Sequence, residues 1–391
     1  MFIVMLTAAL ALMHFYLWRR LIRGTSTPGW TRRALTLAFL VPTAALVVTI
    51  GSRVATVLSW AFGEDGLAWV ERVGYIWLGL VFYLTLTLLV TEPVRWALRG
   101  WARRPVDGAA PAGASGGRRL LVNRATAAVA AVVSVAVVGV GISTAMGPPN
   151  LLTVPIRLQG LNPAFDGYRI AMVNDVHLGV FSNRAQTERI VAMVNDTDPD
   201  LVVIVGDLVD DTVGHLAPAA EPLRNLRSAD GVYFVTGNHE YYVDDTPEWI
   251  DELSQLGVRT LANANTTIRR GDASFNLAGV TDIVGERLSQ PPDFDRAMEG
   301  ADDSVPTVLL AHQPVQVREA AEHGVDLQLS GHTHGGQMWP FHYAVLSQQP
   351  ALAGLSTIDG VQLYISRGAG FWGPPVRVGA PPDVSLLVLQ P

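Results

Sequence analysis

Hydrophobic and polar positions fall into two textures that change near residue 150. Before it, four uncharged stretches recur, at 1–18, 34–52, 73–91 and 125–146. A helix needs ~20 apolar residues to cross a hydrocarbon core, and each stretch comes close to that. None shows the polar face at a period of 3.6 that a helix in a soluble core needs, so the pattern predicts four transmembrane helices. The last is the clearest, because no charge occurs between Arg124 and Arg157. After about residue 156, short β-branched runs alternate with polar stretches. The runs 168–174, 201–205, 232–236, 307–311 and 326–330 predict buried strands, and helices fit near 184–196, 217–228, 246–256 and 314–322. Strands separated by helices predict an α/β domain with at least partly parallel sheets.

Composition agrees with a membrane part. Of 391 residues 49% are hydrophobic and only 16% charged, against ~25% charged in an ordinary soluble domain. Disorder and a basic nucleic-acid-binding chain are both excluded, so no nucleic-acid partner is expected. The absence of Cys excludes disulfides, thiolate zinc sites and Cys nucleophiles. All 28 basic residues are Arg, and they divide unevenly against the acids: 14 Arg face 5 acids up to residue 150, and 14 face 30 beyond it.

The Arg of the connecting loops set an orientation. Arg19, Arg20, Arg23, Arg32 and Arg33 follow the first stretch without an acid. Arg95, Arg99, Arg103, Arg104, Arg118, Arg119 and Arg124 follow the third, against Glu92 and Asp107. Both loops are expected in the cytoplasm, which puts the N-terminus and everything after the fourth helix outside. A cleaved signal peptide fits the first stretch poorly, since its positive charges follow the apolar run. The expected order is three transmembrane helices with loops over 1–104, a Gly- and Pro-rich cytoplasmic linker at 105–124, a fourth helix at 125–146 and a domain over 156–391. Arg118-Arg119-Leu120-Leu121 before the fourth helix also looks like a twin-arginine export signal, although paired Arg are common at the inner edge of any span.

The chemistry gathers where the strands end, which is where ligands collect in α/β sheets. Asn174-Asp175-Val176-His177 follows the first strand, Gly206-Asp207-Leu208-Val209-Asp210 the second and Gly237-Asn238-His239-Glu240 the third. His312-Gln313-Pro314 follows the fourth, and Gly331-His332-Thr333-His334-Gly335-Gly336-Gln337 the fifth. Five of the nine His lie in these turns. One such turn would be weak, but five at one edge point to a metal centre. Oxygen and imidazole donors without thiolate suit Mn, Fe or Zn. Two such ions about 4 Å apart can clamp a phosphoryl group and activate water, and Asp207 is a carboxylate able to bridge them.

This order of motifs resembles the calcineurin-like metallophosphoesterase superfamily over about 165–390. GHTHGGQ at 331–337 and YISRGAG at 364–370 further resemble its membrane-associated bacterial branch, of the YkuE and YaeI type. The resemblance implies a two-sheet β-sandwich flanked by helices and two divalent metal ions as cofactors. By motif position, Asp175, His177 and His334 would hold one ion and Asn238, His312 and His332 the other, with Asp207 bridging. His239 would act near the leaving oxygen as general acid or phosphate-binding group, oriented through Asp210 or Glu240. Asn174 stands where the family often has Ser, and Asp383 in Pro381-Pro382-Asp383-Val384 replaces a longer acid in a structural role. Arg367 is expected either to contact substrate phosphate or to pair with an acid. Tyr241-Tyr242, Trp339 and Phe371-Trp372 are candidates for an apolar rim or for simple packing.

The expected function is a membrane-anchored phosphoester hydrolase, a phosphodiesterase at the outer face of the cytoplasmic membrane. Its partners would be membrane lipids and a phosphoester substrate, lipid-linked or from the cell envelope. A lipid or glycolipid pyrophosphatase of the same fold, and a non-catalytic metal-stabilised sensor module, are the alternatives.

Overall fold

The computed structural model describes residues 2–98, 100–101, 113–243 and 245–391. They form two compact units, a helical one reaching Ser143 and a second that begins at Thr144.

The first unit contains α1 (Phe2–Leu17), α2 (Trp30–Ile50), α3 (Ser52–Ala97) and α4 (Gly113–Met146). Among the described residues, three helices are long and apolar enough to cross a membrane: α2, residues Gly66–Ala97 of α3, and Gly117–Met146 of α4. The first expected span, at 1–18, differs. The α-helical part of α1 is only 16 residues, and the chain continues as a π-helix, Trp18–Arg23, that carries the first Arg cluster. Leu17, Ile22, Phe39, Val81, Leu84, Leu88 and Ala130 pack together inside the unit. Leu12, Val41, Val90, Val132 and Val140 stand exposed on the outside. Apolar side chains turned outward invert the order of a soluble bundle and suit a hydrocarbon surround. Residues 113–124, expected within a linker, are helical and belong to α4; the part of that linker at 105–112 lies outside the described residues.

The second unit is built on two six-stranded sheets. In the first, the strands are β1 (Asn150–Arg157), β2 (Arg169–Val173), β3 (Leu201–Val205), β4 (Val232–Val235), β5 (Val258–Thr260) and β12 (Asp383–Gln390), in the order β1-β12-β2-β3-β4-β5. The second has β6 (Ala264–Arg270), β7 (Ala273–Gly279), β8 (Thr307–Leu310), β9 (Leu327–Ser330), β10 (Gly354–Ile358) and β11 (Val361–Ile365), in the order β10-β11-β9-β8-β7-β6. Strands β2 to β5 run parallel, as do β7, β8, β9 and β11. The domain begins before residue 156, because β1 pairs with β12 from Asn150 onward.

Alternation along each strand builds three apolar layers. Met172, Val203, Val205 and Val235 of one sheet meet Phe275, Leu277, Val308, Leu310 and Leu329 of the other. The opposite faces of β2 and β3, with Ala171, Val173, Val202 and Ile204, pack under α5 (Arg184–Asp196) and α7 (Thr246–Gln255) through Ile190, Val194, Trp249 and Leu253. On the far side, Leu309, Ala311, Leu363 and Ile365 meet Phe294 and Ala297 of α8 (Phe294–Met298) and Val317 and Ala320 of α9 (Val317–Glu322). The helix expected at 217–228 starts earlier, as α6 (Val213–Ala220), and closes with a 3-10 turn over Glu221–Asn225. Both sheets thereby send the C-terminal ends of β2, β3, β4, β8 and β9 into one region.

Candidate metal centre

The five predicted turns converge. Asp175, His177 and His334 have ligand atoms within 4.8 Å of one another, and so do Asp207, His312 and His332. His177 Nε2 lies 3.9 Å from Asp175 Oδ1, and His334 Nε2 lies 3.4 Å from the same oxygen. In the second group, His312 Nε2 is 3.2 Å from Asp207 Oδ2. Asn238 Oδ1 is 2.8 Å from His332 Nδ1. Asp207 Oδ2 is also 3.8 Å from His177 Nε2, so one carboxylate oxygen faces both groups.

Such convergence demands backbone that ordinary side chains avoid. Asp175, His177, Asp207, His332 and His334 all have φ between 48° and 68°, in the left-handed region, at a cost of order 1 kcal/mol or more each. The turns also press glycine backbone against the ligand carboxylates. A Cβ at Gly237 would meet Asp207 Oδ1 at 2.3 Å, and one at Gly331 would meet Asp175 Oδ2 at 2.4 Å. Parallel pairing carries on past the strand ends, since Asp175 N donates to Gly206 O (3.0 Å) and His177 N to Asp207 O (3.1 Å).

The donors fit divalent cations. His312 Nδ1 donates to Val205 O at 2.9 Å, which leaves Nε2 as the free donor atom; it is buried and has no hydrogen-bond partner among the described residues. Burial, helped by the positive charge of His312, brings His332 down to about 3. Burial and then the Arg377 guanidinium hold His334 well below its ordinary value. Both rings are therefore neutral, as ligands must be. Burial raises Asp175, while His312 is driven well above the ordinary range because Asp207 and Asp175 outweigh its own desolvation. The buried carboxylates act on His312 in this way, and a bound cation would offset their charge more directly.

A second layer holds the first. Asp210 Oδ1 accepts from His177 Nδ1 and from His239 Nδ1, each at 2.8 Å, so one oxygen orients a ligand ring and the candidate acid. Glu240 does something else. Its carboxylate accepts backbone N–H groups of Gly237 (2.6 Å), Asp207 (3.0 Å), Leu208 (2.7 Å) and Val209 (3.3 Å), fastening the β3 turn to the β4 turn. Of the two carboxylates proposed from sequence to orient His239, Asp210 is the one in contact. Burial lowers His239, but the charges of Asp207 and Asp210 outweigh it and raise the ring to about 9.

Arg377 has no sequence signal, being a lone Arg outside every motif, yet it is almost fully buried. It donates to His334 O (2.7 Å), Arg367 O (2.9 Å) and Ala380 O (3.3 Å), and lies 3.0 Å from His334 Nδ1. Asp282, also unsuspected, is buried behind the site and accepts from Gln313 Nε2 (3.0 Å). Arg367 pairs with Asp383 (3.2 Å), which also accepts from Ser366 Oγ (2.7 Å), in keeping with a structural Asp383. Among the aromatics, Tyr241 and Phe371 are buried, while Tyr242, Trp339 and Trp372 are about half exposed. Tyr242 lies against His239, with ring centroids 5.2 Å apart.

Residues 168–336 match the calcineurin-like phosphoesterase family. A transmembrane protein with metallophosphoesterase domain from Bos taurus is 38% identical over 275 residues, 67% of this chain and 62% of that protein. A metallophosphoesterase of Campylobacter jejuni is 34% identical over 66% of this chain and 68% of its own length. The metallophosphoesterase YkuE of Bacillus subtilis is 28% identical over 58% of this chain and 80% of its own. The chain spans about three fifths of the length of the vertebrate relatives it matches.

The Glu240 clasp yields a stability prediction. Glu240→Gln sets an amide NH₂ against a buried N–H donor, and leaving such a donor unmet costs roughly 1–3 kcal/mol. Thermal unfolding of the full chain in detergent is expected to shift down by several degrees. An unchanged midpoint would show that the two turns do not depend on this carboxylate.

Proposed function

Because this chain belongs to the calcineurin-like phosphoesterase family, we propose that it is a membrane-anchored phosphodiesterase working through two divalent cations, its catalytic domain at the outer face of the cytoplasmic membrane. The observation that carries the dinuclear reading is the position of Asp207 Oδ2 between His312 and His177. Asp175, His177 and His334 would hold one ion, Asn238, His312 and His332 the other, with Asp207 between them. Bound there, the ions would polarise the phosphoryl group and activate water.

The chain's own groups would supply orientation and a proton. Asp210 holds the His239 ring by Nδ1, which leaves Nε2 to face a leaving oxygen. Cations sharing Asp207 would offset part of the negative charge that raises His239 and bring its titration closer to neutral pH, where a general acid is still protonated yet releases its proton readily. Arg367 stays partly exposed beside Gly335 and can turn from Asp383 to a substrate phosphate. The exposed rings of Tyr242, Trp339 and Trp372 support a lipid-linked or cell-envelope phosphoester as substrate, and with it the pyrophosphatase reading. A complete set of donors supports turnover over a binding-only sensor. Hydrolysis of bis(nitrophenyl) phosphate against nitrophenyl phosphate by the full chain with added Mn tests the reading. No turnover of either would overturn it, and monoester preference would overturn the diesterase assignment.

The Arg-rich start of α4 supports this orientation, whichever way α1 sits. Arg118, Arg119 and Arg124 mark its first turns, and no charge follows until Arg157. This end belongs in the cytoplasm, and the chain then leaves the membrane outside at Met146.

Three outcomes are expected. Asp207→Asn keeps the side-chain volume but removes the negative charge between two cations, so elemental analysis should find fewer than two metals per chain; Asp210→Asn should keep both. His239→Ala should keep its metals while kcat falls ~10²–10⁴-fold on unactivated esters. Nitrophenyl esters should lose less, and equal losses on both would refute a general acid. A reporter active only outside the cytoplasm should work after Pro391 and fail near Gly113; the reverse pattern would move the domain inside.

A further inference from the structure

The helical unit contains a polar cavity of about 580 Å³ that the phosphoesterase reading does not use. It lies where three segments come to the same end of the bundle: the π-helical Trp18–Arg23, the last turns of α3 and the first turns of α4. Its lining carries five guanidiniums, from Arg19, Arg20, Arg23, Arg95 and Arg119, and one carboxylate, from Glu92.

That carboxylate is fully engaged. Glu92 pairs with Arg20, which is only 6% exposed, and with Arg95 at 3.1 Å, and accepts Tyr16 OH at 2.9 Å. Among the described residues, four positive charges therefore remain uncompensated around one space. Arg19, Arg23 and Arg119 form no ion pair among the described residues. The walls are fixed by hydrogen bonds and are not a loose belt. Arg95 Nε donates to Asn123 Oδ1 at 3.0 Å, and Asn123 Nδ2 donates to Gly24 O at 2.9 Å, joining all three segments. Guanidiniums gathered around such a frame match the oxygens of a phosphate.

We propose that this cavity binds the phosphate of an anionic phospholipid headgroup at the Arg-rich rim of the membrane. The volume exceeds what a bare phosphate fills and lies in the range of sites for larger organic ligands. Leu98 and Val122 line it beside the Arg, which gives the glycerol end of a lipid an apolar contact. The inference rests on the helices crossing a membrane, and not on catalysis.

The test uses the full chain in nonionic detergent, titrated with phosphatidylglycerol, phosphatidylcholine or inorganic phosphate and read by native mass spectrometry. Phosphatidylglycerol is expected to stay bound in preference to phosphatidylcholine. The Arg23→Gln/Arg119→Gln variant should weaken that binding about tenfold or more, at the usual worth of a basic side chain near anionic lipid. Arg33→Gln removes one charge at α2, outside the cavity lining, and should change it no more than about twofold. Thermal midpoint and phosphodiester turnover should match the unaltered chain for both variants, which separates a lost site from a lost fold. Equal loss in both variants would reduce the effect to a diffuse positive rim and overturn the site. Binding of inorganic phosphate with no preference among lipids would assign the cavity to a soluble anion and overturn the lipid.

Discussion

Buried negative charge at the meeting point of two sheets is the constraint on which the second unit depends. Asp175 and Asp207 are almost completely removed from water, and a lone carboxylate in such a place would cost several kcal/mol. Much of the local structure answers that cost. Asp175 accepts the backbone N–H of His332, Asp207 accepts that of His239, and His312 Nε2 faces both carboxylates, 3.2 Å from Asp207 and 4.0 Å from Asp175. Five left-handed residues and the glycines pressed against them bring these partners close enough. Cations bound to such a cluster would relieve repulsion, desolvation and backbone strain together, so ligand binding and folding stability draw on one interaction.

The site was more legible in sequence than the fold around it. Strand ends delivering Asp, Asn and His leave a compact signature, because each ligand sits within a few residues of a Gly and of a solid apolar run such as LVVIV at β3. Strands with both faces buried give that run; strands with a polar or half-exposed face do not. Accordingly β6 (ANTTIRR) and β10 (GLSTI), at the edge of their sheet, and β12, whose pairing with β1 is set by distant register, went unpredicted. Arg377 could not be read, since its importance comes from five backbone carbonyls that only the fold assembles. Glu240 was seen, but as an orienter of His239. That it binds backbone amides depends on how two loops approach each other, which no local pattern encodes.

In the helical unit, apolar length was legible and its interruptions were not. Uncharged stretches located α2, α3 and α4, yet the change from α- to π-helix at Trp18 leaves no compositional mark. The Arg that follow it read naturally as a cytoplasmic loop. In the structure Arg19, Arg20 and Arg23 are wound into helix, Arg20 pairs with Glu92, and all three line a shaped space.

The sheet order places β12 between β1 and β2, although it follows them by the whole length of the domain. A ribosome working at a few residues per second will therefore have released β1, β2 and all five ligand turns well before the strand that separates the first two exists. Throughout that interval β2 presents a bare edge to its surroundings, and the contact that closes the sheet is about the most distant in sequence that the domain contains. Assembly of this unit is then governed by its final strand: the nascent domain has to be kept from pairing with other chains until β12 arrives, and a ribosome stalled late in the message would leave an open sheet already tethered to the membrane by α4.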